Sequence, residues 1–133
     1  MLGSCLARAQ RSASIHLFFY GANPNLTHKQ VARLDSLLNT IDRSRIVGVA
    51  LVGHTDSLFG RASNLALAEK RALSVKELLV DRNVPDPLIT ITAFNAPIPV
   101  AEDPIPTGRG RNRRVFMRIE YGPVTDPGTV PVE

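Results

Sequence analysis

Residues 46–81 read IVGVALVGHTDSLFGRASNLALAEKRALSVKELLVD, and they decide the architecture of the chain. Ile46–Val52 is apolar or glycine throughout and rich in β-branched residues, which predicts a central strand covered on both faces. A polar loop, HTDSLFGRA, follows. From about Ser63 the period changes. Leu65, Leu67, Ala68, Ala72, Val75, Leu78 and Leu79 fill one arc at about 100° per residue, with Glu69, Lys70, Lys76 and Glu77 opposite. This helix ends around residues 81–83, because VPDP follows and proline cannot continue it.

The flanking sequence extends the pattern. Ile15–Tyr20 (IHLFFY) predicts a strand, and GANPN a turn. Thr27 is a candidate N-cap for a helix running to about Asp42, with Val31, Leu34, Leu38 and Ile41 spaced by three or four. Leu88–Phe94 (LITITAF) alternates as a strand. After a proline-rich connection, TGRGRNR holds a short helical turn and Val115–Tyr121 (VFMRIEY) forms the last strand. The order β-α-β-α-β-β predicts an α/β (α+β) two-layer sandwich: a mixed four-stranded sheet with two main helices on one face. The last two strands can pair antiparallel. Residues 1–13 are small, polar and basic and read as a flexible tether; 14–121 is the folded unit; 122–133 (GPVTDPGTVPVE) reads as a flexible tail.

One residue breaks the helical pattern. Arg71 lies inside the apolar arc, one turn after Leu67 and one turn before Val75, with Asn64 two turns earlier on the same line. Three readings are open. The guanidinium can snorkel to water from the edge of the arc. It can pair with Asp56 in the preceding loop. Or the two can stand apart across a cleft at the carboxyl end of the central strand, where open α/β sheets bind ligands. In that last case Asp56 takes an ammonium and Arg71 a carboxylate, which together read the head group of an amino acid.

Composition narrows the function classes. The chain has 133 residues, fits one domain, and at 44% hydrophobic can bury a core without staples. Its net charge is +4, with five arginines between positions 109 and 118, which suggests an anionic partner or a solvated surface. Nucleic acid is the weaker reading, since no aromatics interleave RGRNRR. His54, Asp56 and Ser57 are too short a pattern for a metal site or a catalytic triad, and no phosphate loop or nucleophile elbow is present. No enzyme activity, metal or cofactor is expected. A single cysteine, Cys5, rules out an intrachain disulfide. LGSC resembles a bacterial lipobox ending at Cys5, in which case a signal sequence begins upstream of Met1.

These motifs together resemble the OmpA-like peptidoglycan-binding domains. Gly53, Thr55, Asp56 and Gly60 fit the pattern G-x-T-D-x-x-G. Asn64, Leu67, Arg71, Ala72 and Val75 fit the helix that follows it. PVAED resembles a P-V-A-D segment, and Gly108, Arg109, Asn112, Arg113, Arg114 and Val115 fit the ending G-R-x-x-N-R-R-V. The resemblance covers about residues 14–121. It implies non-covalent binding of the bacterial cell wall through meso-diaminopimelate of the stem peptide, with Asp56 holding the ammonium and Arg71 the carboxylate. Thr55, Asn64, Arg113 and Arg114 would line or support the pocket. It also implies a periplasmic protein associated with the outer membrane or with an envelope complex. Two departures stand out: Ala68 replaces the usual serine, and AFNA replaces a glycine-rich segment. The alternative is a fold that has lost wall binding and serves as a protein-interaction module of a secretion or conjugation system.

Overall fold

The computed structural model describes residues 11–54, 61–94 and 113–122, without the side chains of 61–64 and Phe94. In chain order the elements are β1 (Arg11–Phe18), α1 (His28–Leu38), β2 (Ile46–His54), α2 (Arg61–Asp81), β3 (Ile89–Phe94) and β4 (Arg114–Tyr121). Single 3-10 turns at Arg43–Arg45 and Asp86–Leu88 lead into β2 and β3. The strands form one sheet in the order β1-β4-β2-β3. β2 and β3 run parallel, as a helical crossover requires, and β4 is antiparallel to both β1 and β2. The two-layer mixed sheet with two helices is thus the observed fold.

Several details differ from the sequence expectation. β3 and β4 do not pair. The α2 crossover places β3 on one side of β2, and β4 fills the other side, where it satisfies β2 and β1 at once. β1 begins at Arg11, so residues 11–13 of the stretch read as a tether pair with Ile119–Tyr121. α1 stops at Leu38 rather than near Asp42. Asn39 and Thr40 close turns onto Asp35 and Leu37, which still delivers Ile41 to the core at 4% exposure. β2 is central, but its two faces are covered unequally, the second being closed only at its His54 end. Val49 and Leu51 face the helices, while Gly48, Ala50 and Val52 lie on the open face and bulged Val47 is exposed. The open-face residues are small, so they read as hydrophobic in sequence yet carry little area that needs covering.

The helix ends are set locally. Thr27 Oγ1 accepts from Gln30 N, as an N-cap should. α2 closes in a left-handed C-terminal turn. Asn83 has φ 72°, Val84 N donates to Leu79 O at 3.0 Å and Asn83 N to Val80 O at 3.0 Å. Across the layers, Leu34, Leu38, Ala72, Val75 and Leu79 meet Leu17, Leu51, Val115, Met117 and Ile119. Leu65 does not join them: it is 38% exposed, on a flank of α2 instead of its inner arc. At Gly53 the helix comes so close that a Cβ would stand 2.3 Å from the Ala68 carbonyl oxygen. Glycine at 53 is therefore a packing requirement, and Ala68 is in backbone contact with the sheet.

Candidate functional site at the carboxyl end of the central strand

The register brings one row of residues together at a single rim of the sheet. Phe18, Arg114, His54 and Phe94 lie side by side across all four strands. Phe19 N donates to Arg113 O at 2.9 Å, which ties the exit of β1 to the entry of β4. The loop between β1 and α1 leaves from the same rim, and β2 reaches it at His54, immediately before Thr55 and Asp56 in the sequence.

Arg71 reaches this rim from α2. It is fully buried, the largest fully buried side chain described. Its Nε donates to the Asn23 carbonyl at 3.2 Å and its Nη2 to the Gly21 carbonyl at 2.6 Å. The guanidinium lies 5.1 Å from the centroid of the Phe19 ring, near enough for a cation–π contact. The snorkelling reading is therefore incorrect: the apolar arc is wide enough at Arg71 to carry its whole side chain inward. Gly21 adopts φ 55°, a conformation that glycine takes without steric cost, and this turn presents the carbonyls to the guanidinium. Ser74 Oγ extends the same seam by donating to Asn25 Oδ1 at 3.3 Å.

A second set of polar groups lies on the opposite, open face of the sheet. His54 is 5% exposed and Arg114 4%. His16 packs against Phe116 with ring centroids 4.8 Å apart. Burial, then the neighbouring Arg114 and His16 charges, pushes His54 down to about 4. His16 is lowered for the same first reason, then by Arg114 and Arg33. Burial brings Arg114 down to about 10. These shifts favour the neutral imidazoles near neutral pH, with the Arg114 guanidinium as a buried cation beside them.

Of the residues singled out in the sequence, the structure brings Arg71, Arg113 and Arg114 to the same end of the sheet, but not to the same face. Arg71 works in the helix layer, Arg114 on the open face, and Arg113 precedes the strand between them. Asn64 lies in the first turn of α2. Thr55, Asp56 and Cys5 lie outside the described residues, as do AFNA beyond Phe94 and the turn expected in TGRGRNR as far as Asn112. Sequence reasoning missed Gly21, Asn23 and Phe19 as partners of Arg71. The only signal was the glycine that opens the GANPN turn, because backbone acceptors have no residue signature.

The chain matches a family model described as the OmpA family over residues 18–113. It is 39% identical over 72 residues to outer membrane porin F of Pseudomonas fluorescens, covering 54% of this chain and 22% of that protein. The chain spans less than half the length of the relatives it matches in sequence. Among solved structures, the OmpA-like domain of FopA1 from Francisella tularensis superimposes with TM-score 0.72 at 21% identity, over 85% of this chain and 75% of that one. The peptidoglycan-associated lipoprotein from Burkholderia pseudomallei does so with TM-score 0.65 at 21% identity, over 78% and 88%. At such identities the structural likeness establishes the fold alone. The family match spans well over half of the sequence, and the chain belongs to the OmpA family.

Proposed function

We propose that this domain binds bacterial peptidoglycan without chemistry, through the diaminopimelate of the stem peptide, and so anchors an envelope protein or complex to the cell wall. The observation that carries the reading is the buried Arg71 guanidinium at the rim where β2 ends. A guanidinium held inside a helix–sheet layer presents a fixed fork of donors, which suits a carboxylate. Asp56, fifteen residues earlier, supplies the complementary charge for the ammonium. Thr55, Asn64, Arg113 and Arg114 support the site. Family membership agrees with this reading, and one structural neighbour is described as a peptidoglycan-associated lipoprotein. The protein would then act in the periplasm, at the outer membrane or in an envelope complex. No helix among the described residues is long and apolar enough to cross a membrane. For attachment we place a lipid on Cys5; loss of metabolic fatty-acid labelling in Cys5→Ser is the expected result, and an unlabelled wild type would refute it.

The test is co-sedimentation with purified sacculi, together with titration by a diaminopimelate-containing stem peptide. Asp56→Ala should lose binding by at least about tenfold while its unfolding midpoint stays at the wild-type value. Wild-type retention by the folded Asp56→Ala variant would reject this site. One observation favours a second reading. Two donors of Arg71 already hold the carbonyls of residues 21 and 23, so the arginine can serve the fold alone, in a domain kept for protein–protein contact within a secretion or conjugation system. In that case neither sacculi nor the peptide would bind even the wild-type domain.

A further inference from the structure

The two edges of the sheet are treated differently. On the β1 edge, Gln30 Oε1 accepts from Phe18 N at 3.2 Å, and Arg33 Nη1 donates to His16 O at 2.8 Å and to Gln30 Oε1 at 2.8 Å. The guanidinium lies 5.9 Å from the Phe18 ring centroid. A charge and an amide from α1 thus close that edge, one of the ways proteins prevent strand pairing. The β3 edge has no such guard among the described residues. Among the described residues its backbone pairs with β2 alone, and its sequence, ITITAF, has no charge, proline or bulge.

The flank of α2 beside that edge is equally unusual. Arg71 and Ser74 turn toward the loop before α1. Lys76 Nζ reaches Asp86 Oδ1 at 3.0 Å, just before β3, so this side of α2 borders the β3 edge. At about 100° per residue, Leu65, Leu73 and Val80 share the flank with Lys76. They are 38%, 47% and 40% exposed, three of the five exposed large hydrophobics described. Glu69 is the other charge on this flank.

We propose that this edge and flank form a two-fold interface with a second copy of the chain. An antiparallel β3–β3 pair centred on Ile91 places Thr90 opposite Thr92 of the second copy and Ile89 opposite its Ala93. Threonine meets threonine on the open face, and both helix layers fall on the same side of a continuous eight-stranded sheet, as an isologous contact demands. The helix obeys the same axis. Gly53 pairs with Ala93 and abuts Ala68, so residue 68 is level with 93. Going back two strand residues at about 3.3 Å each covers the height of about four helix residues at about 1.5 Å each. The axis through Ile91 therefore passes α2 near Ala72 and Leu73. Around that point Leu65 faces Val80 of the second copy, and Glu69 faces its Lys76. Apolar and charged positions match under one operation, and no like charges meet. The proposal is independent of wall binding.

Sedimentation of the full chain up to millimolar concentration tests it. The wild type should show a monomer–dimer equilibrium. Thr92→Lys, which puts a charge on the exposed side of the edge, and Leu73→Glu should each weaken the dimer by about tenfold or more without lowering the unfolding midpoint by more than a few degrees. In a Cys5→Ser background, mixed Thr90→Cys and Thr92→Cys proteins should oxidise to the mixed disulfide. A wild type that stays monomeric at millimolar concentration overturns the proposal. So does a dimer insensitive to both substitutions, or one that forms no 90–92 crosslink.

Discussion

Arg71 and Arg114 are both buried cations, yet they are buried among different neighbours. Arg71 lies among acceptors: two backbone carbonyls and an aromatic face. Arg114 lies on the other face of the sheet in a row with His54, and next to the row of His16 and Phe116. A guanidinium enclosed by carbonyls works as a strut, because it replaces the water that both partners lost. A guanidinium beside half-buried and buried imidazoles adds its charge to the burial that already disfavours their protonation. The first arrangement predicts a large loss on removal and little pH dependence. The second predicts a pH dependence, set first by burial of the imidazoles and then by the Arg114 charge.

The largest expected effect follows from the strut. Arg71→Leu orphans the Gly21 and Asn23 carbonyls in a closed layer, and unfolding by urea should show a loss of about 3 kcal/mol or more. Arg71→Lys restores one charge but not the two-point grip, and should fall between. If Arg71→Leu loses less than about 1 kcal/mol, the loop is held by other contacts and the strut reading fails.

A smaller, pH-linked effect belongs to the histidines beside the other arginine. His54 and His16 have folded-state values below the ordinary 6.5, with His54 at about 4. Between those values the unfolded chain binds more protons than the folded one, so stability falls as the pH drops from 6.5 toward 4 and levels off below that. Thermal melts across this window should show the decline, and His54→Phe should flatten it. Arg114→Met should flatten it only in part, since burial is the larger cause and the guanidinium the second. A full effect from Arg114→Met would reverse that order.

The smallest effect provides the baseline for both. Arg82 bonds Asp35 through Nε and Nη2, linking the end of α2 to α1 at the surface. The side chains are 25% and 40% exposed. Arg82→Ala should lower stability by about 1 kcal/mol or less. Arg82, through its hydrogen bond, holds the Asp35 carboxyl below its ordinary 3.8, so that contribution is present above this value and fades as the pH falls below it. A loss comparable to that of Arg71→Leu would remove the contrast between an ion pair open to water and a buried strut.

Much of this was legible in the sequence. The four strands, both helices, the Thr27 cap, the stop after residue 81 and the place of Arg71 on the apolar arc all follow from period and local chemistry, which act over a few residues; that its guanidinium points inward did not. The motif residues of the family were likewise visible as residue types at fixed spacings. What the sequence did not determine was which strands meet. Insertion of β4 between β1 and β2 depends on the α2 crossover having already taken one side of β2, a relation among segments far apart in the chain. The partners of Arg71 were also invisible: its acceptors are main-chain carbonyls, which every residue carries, and only a turn with Gly21 at positive φ aims them inward. Arg114 looked like one more member of a basic run. Its burial beside two histidines arises because strand register, not residue type, selects the neighbours on a sheet face. Local chemistry alone fixed the elements and the anomalous charge. Tertiary packing decided the face each arginine occupies, because burial and hydrogen-bond partners belong to pairs of segments and not to either one.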